Sequence, residues 1–73
     1  MHKLDLTGVP CPLNFVKTKL KLEELKSGEL LEVVLDDGEA IVNVPRSVKD
    51  EGNKILKVEK LKEGNYSCLI LKG

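Results

Sequence analysis

The chain is poor in several residue types that organise other proteins. Tryptophan is absent, and Phe15 and Tyr66 are the only other aromatic residues besides His2. The core must therefore be aliphatic, and stacking platforms for single-stranded nucleic acid are missing. Charge of neither sign prevails: 12 basic and 12 acidic residues give a formal net charge of zero. That balance argues against a module that binds a nucleic-acid backbone. Two cysteines, Cys11 and Cys68, are too few for a secreted disulfide scaffold. His2, Cys11 and Cys68 have no metal-ligand spacing, so no metal is expected. No apolar run is long enough to cross a membrane, and the N-terminus lacks a signal-peptide apolar segment. A cytoplasmic setting with free thiols, away from membranes, is the expectation.

What is present suits one small domain spanning residues 1–73, burying roughly 60% of its unfolded surface. Short elements alternate without repeats or linkers. His2 to Leu6 reads as a strand with Leu4 and Leu6 on one face. Thr7-Gly8-Val9-Pro10 reads as a turn. Pro12 to about Lys26 reads as a helix closed by Ser27-Gly28, with Gly28 as the residue after the cap. Phe15, Thr18, Leu22 and Leu25 should face a sheet. Leu30 to Leu35 reads as a strand with Leu31, Val33 and Leu35 inward. Asp36-Asp37-Gly38 reads as a turn and helix cap. Ile41, Val44 and Val48 then mark a second helix ending near Gly52, kinked at Pro45 or starting there. Lys54 to Lys62 and Asn65 to Leu71 flank Glu63-Gly64 as a hairpin. The fold class is α+β: a two-layer α/β sandwich of order βαβαββ, a four-stranded mixed sheet with two helices on one face.

Cys11 stands between Pro10 and Pro12, at the start of the first helix. A helix start offers unpaired N–H groups and the positive end of the dipole, which favour thiolate, the reactive form. Pro12 suits a first helical position, where its missing N–H is no loss. An ordinary thiol titrates near ~8.5, so about 3% is ionised at neutral pH. A helix end supplies roughly 0.3–1 kcal/mol, up to ~2, and ~1.4 kcal/mol moves a pKa by one unit. The dipole alone thus leaves Cys11 only partly ionised, and a direct N–H donor or a nearby lysine must add to it.

A second apolar set, Leu13, Val16 and Leu20, lies on another side of that helix among Lys17, Glu23 and Glu24. It either packs against neighbouring elements or forms an exposed docking patch beside Cys11. Lys17, Lys19, Lys21 and Lys26 form a solvated face or steer an acidic partner. Arg46 is a surface residue or a partner contact. Cys68 reads as a small, half-buried core residue, and His2 as a terminal residue without chemistry. Asp36 and Asp37 read as turn and cap residues rather than a catalytic pair.

Leu4-Asp5-Leu6-Thr7-Gly8-Val9-Pro10-Cys11-Pro12 resembles the N-terminal signature of the TusA/SirA-like sulfur-carrier family. In that family a Leu-Asp pair and a Gly precede a Cys-Pro-x-Pro motif that opens the first helix. The resemblance continues through Leu25, Gly28, Leu31-Glu32-Val33, Asp36-Asp37, Pro45 and the closing strand to Lys72-Gly73. It implies the βαβαββ sandwich and a sulfurtransferase or sulfur-carrier activity without a bound cofactor. It further implies that Cys11 accepts a persulfide sulfur from a cysteine desulfurase or rhodanese-like donor and passes it to an acceptor protein. tRNA is then involved only indirectly. Gly8, Pro10, Pro12, Leu13 and Asn14 would position the motif, and Val16, Leu20 and Arg46 would meet partners. One position departs from the pattern: Asn14 stands where the family has its second proline. Asn14 keeps a backbone N–H that proline lacks, and the expectation is that it adds a donor to the Cys11 sulfur.

A second function class uses the same topology without sulfur chemistry. It is a regulatory or RNA-associated interaction module in which Cys11-Pro12 merely opens a helix. Related topology occurs in the C-terminal domain of bacterial translation initiation factor 3, so fold alone does not separate the two. Neutral charge and scarce aromatics weigh against RNA.

Overall fold

A computed structural model describes residues 2–10 and 12–73; Cys11 and Met1 lie outside the described residues. The elements run β1 (His2–Asp5), α1 (Leu13–Glu23), β2 (Leu30–Leu35), α2 (Glu39–Asp50), β3 (Lys54–Lys60) and β4 (Tyr66–Leu71). The sheet order is β1-β2-β4-β3. β1 pairs parallel to β2, and both other pairings are antiparallel. This is the four-stranded mixed sheet with two helices in βαβαββ order.

Strand alternation places the core. Leu31 pairs with Ile70 and Val33 with Cys68, and all four side chains are buried on one face. Leu22 and Leu25 from the α1 region and Ala40, Val44 and Val48 from α2 pack onto that face. The buried apolar side chains are aliphatic apart from Cys68. Phe15 is half-buried at the core margin rather than inward with Thr18 and Leu22.

Several boundaries differ from expectation for physical reasons. α1 ends at Glu23, and Gly28 (φ +93°) does not cap it. Its N–H instead donates to the Lys72 carbonyl at 2.9 Å, while the Lys72 N–H donates to Glu29 O at 2.9 Å. The glycine thus serves the entry into β2. α2 runs from Glu39 through Pro45, which excludes a helix starting at that proline. The hairpin strands are shorter than read from sequence, and a bulge shifts register between Ile55 and Lys57. The hairpin turn closes with Leu61 N–H to Asn65 O at 2.7 Å. His2 is not a loose end: its Nε2 lies 3.1 Å from Glu29 Oε2. Glu29 also accepts the Lys26 N–H, and those two partners hold its carboxyl below the ordinary range.

Candidate functional site

The site is built where parallel strands end. β1 and β2 run side by side, and Leu6 N–H donates to Val34 O at 2.9 Å just past the last paired residues. Beyond that point each strand turns away into a helix. The carboxyl ends of parallel strands are where open α/β sheets leave a crevice for chemistry. The motif Gly8 to Asn14 occupies one connection and Asp36-Asp37-Gly38 the other.

The first connection is held at successive points. Asp5 Oδ1 accepts the Thr7 N–H at 2.9 Å and also the Thr7 hydroxyl. These bonds, the hydroxyl one foremost, hold the Asp5 carboxyl below its ordinary 3.8. Val9 N–H donates to Leu6 O at 3.1 Å, and the Val9 side chain packs against the core. Gly8, at φ +78°, donates its N–H to Asp36 Oδ2 at 2.7 Å, joining the two connections. A side chain at Gly8 would be strained in this backbone region.

Pro12 is the N-cap residue of α1, with Leu13 as the first helical residue. No acid stands in the first turn of α1, and Pro12 makes no side-chain cap bond. The positive end of α1 is therefore not neutralised by its own first-turn residues.

Asn14 corrects the sequence expectation. Its N–H donates to Pro10 O at 3.1 Å, so it is engaged inside the turn and is not a free donor to sulfur. Its side chain is 1% exposed and its Oδ1 accepts the Phe15 N–H at 2.7 Å. Its carbonyl accepts the Thr18 hydroxyl at 2.8 Å. Val16 N–H donates to Pro12 O at 3.1 Å. Pro12 has no N–H, so of the opening turn only the Leu13 N–H finds no acceptor among the described residues. Among the described residues, Leu13 is therefore the one unengaged donor of this helix start.

The second apolar set does not pack against neighbouring elements; it is exposed. Leu13, Val16 and Leu20 are 50%, 42% and 57% exposed, along the outer face of α1. They follow the motif directly. Arg46 is exposed on α2 and makes no ion pair among the described residues. Lys19 and Lys21 are paired with Glu51 and Glu24, each at 3.4 Å. A cleft of about 110 Å³ between the helices is lined by Phe15, Lys19, Leu22, Val48 and Glu51 among others, and none of the described residues of the Gly8 to Asn14 motif lines it. Cys11, the expected carrier residue, lies outside the described residues. Cys68 is fully buried, not half-buried, and burial pushes its thiol up to about 11. Its thiolate is thus scarce at neutral pH.

Asp36 is the site residue that sequence reasoning missed. From the sequence it reads as a turn and cap residue, and its partner Gly8 lies 28 residues earlier. The sequence signals for it are its place directly after a strand and its part in the family resemblance.

Comparison with known proteins agrees with this architecture. The sequence model of the family described as sulfurtransferase TusA matches residues 2–72. Two similar chains bear the name "Putative sulfur carrier protein". That from Archaeoglobus fulgidus is 54% identical over 69 residues, covering 94% of this chain and 78% of its own. That from Methanocaldococcus jannaschii is 42% identical over 72 residues, covering 99% and 95%. The crystal structure of a SirA-like protein from Desulfitobacterium hafniense has the same fold. It matches with a TM-score of 0.87 at 23% identity, over 100% of this chain and 99% of that one. Fold and relatives together define a small α/β protein of the sulfur-carrier class. Within that class, the chain belongs to the sulfurtransferase TusA family.

Proposed function

We propose that this protein carries sulfur as a persulfide on Cys11. The thiolate of Cys11 attacks the outer sulfur of a donor persulfide. A new S–S bond forms, the donor S–S bond breaks, and the donor leaves as a thiolate. An acceptor thiolate then attacks the outer sulfur on Cys11, takes it, and releases the Cys11 thiolate. Each step exchanges one S–S bond for another, so no external oxidant or reductant is consumed.

The observation that carries this reading is the start of α1. It begins two residues after Cys11 in the sequence, has no acid in its first turn, and its Leu13 N–H has no acceptor among the described residues. Both features favour an anion such as a thiolate or a persulfide. Gly8, Pro10, Pro12 and Leu13 position the motif, and Asn14 fixes the turn behind it. Leu13, Val16 and Leu20, exposed on the helix that follows Cys11 in the sequence, form the surface on which donor and acceptor proteins dock. Arg46 is a further contact on α2. The exchange of thiols suits a reducing, cytoplasmic compartment; no helix among the described residues is long and apolar enough to cross a membrane.

The test uses a cysteine desulfurase, cysteine and this protein. Mass spectrometry should show one added sulfur atom that a reducing agent removes. Cys11→Ser should lose the adduct and Cys68→Ala should keep it. Absence of the adduct with a competent donor overturns the reading.

A further inference from the structure

We propose that Asp36 is a positioning residue for the sulfur-carrying loop: its carboxylate latches the loop before α1 to the end of β2. This rests on the carrier reading above and assigns a role to a residue of the second connection.

The latch is the Gly8 N–H to Asp36 Oδ2 bond of 2.7 Å. An N–H bonded to a carboxylate is stronger than a neutral pair and shorter on average. The other described bonds of this loop are local. Asp5 to Thr7 and Leu6 to Val9 hold it to its own strand end, and Pro10 to Asn14 joins it to α1. Asp36 alone among these partners belongs to the other connection. Its own side of the latch is firm: β2 ends at Leu35, and Asp37 Oδ1 accepts the Gly38 N–H at 2.8 Å. Between Gly8 and Cys11 stand Val9, packed against the core, and Pro10, whose φ is fixed by its ring. A position set at Gly8 is thus held through Val9 and Pro10, the last described residues before the carrier residue in the sequence.

Charge and geometry make opposite demands here. As a bare negative charge, Asp36 disfavours a nearby thiolate and raises the thiol pKa. As a latch, it keeps the loop against the helix start and lowers it. The other acids near these bonds are Asp5 at the end of β1, Asp37 in the second connection and Glu39 in the first turn of α2. They are the same in each Asp36 variant, so their effect cancels in the comparison. Lys17 is the cation of the outer α1 face without an ion pair among the described residues, and it cancels likewise.

The experiment is the rate of Cys11 alkylation by iodoacetamide against pH in the full chain, with hydrogen exchange at the Gly8 amide. Wild type, Asp36→Ala, Asp36→Asn and, as a control, Asp37→Asn are compared. Asp36→Ala should raise the thiol pKa by roughly half a unit, the scale of a helix-end effect. Gly8 exchange should speed up by about tenfold as its protection is lost. Asp36→Asn keeps an acceptor oxygen and should titrate at or below the wild-type value. Asp37→Asn should leave both readouts unchanged. An Asp36→Ala thiol that titrates at the same or lower pH, or an unchanged Gly8 exchange rate, overturns the latch. Failure of the carrier reading looks different: the titrations then behave as stated, yet wild type takes no sulfur from a competent donor.

Discussion

The two helices bury residues in the same phase and could hardly differ more in what they place there. α2 buries Ala40, Val44 and Val48; α1 buries Asn14, Thr18 and Leu22. The second, sixth and tenth residues of each helix thus face inward. On the outer faces the order is reversed. Glu39 and Arg46 of α2 correspond to Leu13 and Leu20 of α1, and Val42 corresponds to Val16. α2 has an acid in its first turn, and α1 has none. α2 is built as a supporting helix: apolar within, charged without except at the exposed Val42, its dipole complemented. α1 keeps polar groups at its buried start and apolar groups in water, and leaves its positive end open. Such an arrangement forgoes stability that a supporting helix would gain. It is the arrangement expected of the element that meets partners and holds an anion.

The comparison is sharpened most by substituting one residue type on the two faces of α1. Leu22→Ala, in the core, should destabilise by about 2–5 kcal/mol. Leu20→Ala, two residues away and exposed, should change stability by less than about 0.5 kcal/mol. Thermal unfolding reads both, and at roughly 4–8 °C per kcal/mol in a domain of this size the difference is large. Leu20→Ala should nevertheless slow sulfur loading from a protein donor, with the reaction of Cys11 toward a small alkylating agent unaltered. Equal loading rates would remove Leu20 from the docking surface.

Next in size is a change that makes the start of α1 like that of α2. Leu13→Glu places an acid where α2 has Glu39. It should raise the Cys11 thiol pKa by roughly half a unit while stabilising the helix by about 0.3–1 kcal/mol. Reactivity and stability would thus move in opposite directions. A thiol pKa unmoved in a more stable Leu13→Glu protein would show that the open helix end does not act on Cys11.

The smallest effect on the thiol concerns Asn14. Because its N–H is already engaged by Pro10 O, Asn14→Pro removes a turn bond but no donor to sulfur. A loss of about 0.5–1.5 kcal/mol is expected from that bond, with the thiol pKa unchanged. A clear rise in thiol pKa would restore Asn14 as a sulfur donor and contradict the bonding described here.

How far the sequence revealed this molecule depends on how local each feature is. The inward face of β2 was legible because Leu31, Val33 and Leu35 fall at a period of two around Glu32, the one polar residue of an otherwise apolar run. The inward Thr18-Leu22-Leu25 stripe and the element order were legible for the same reason of period. The buried Asn14 was not, because an amide reads as surface unless its bonds to Phe15 and Pro10 are seen. Gly28 resembled a helix cap because a cap and a strand entry both favour positive φ. Pro45 suggested a break, yet packing of Ala40, Val44 and Val48 on the sheet carries α2 across it. The Asp36–Gly8 latch joins residues 28 apart, and only the parallel pairing of β1 and β2 brings them together. The exposure of Leu13, Val16 and Leu20 likewise depends on where neighbouring elements stop, which no spacing encodes.

The central claim is that Cys11, two residues before α1 in the sequence, carries sulfur and is not merely structural. It is tested most directly by mapping sulfur to residues after exposure to a loaded donor. The protein is digested, and the peptides holding Cys11 and Cys68 are weighed before and after an acceptor thiol is added. The account predicts one sulfur atom on the Cys11 peptide, none on the buried Cys68, and departure of that sulfur to the acceptor. Sulfur on Cys68, or an unmodified Cys11 peptide beside a demonstrably loaded donor, would contradict it.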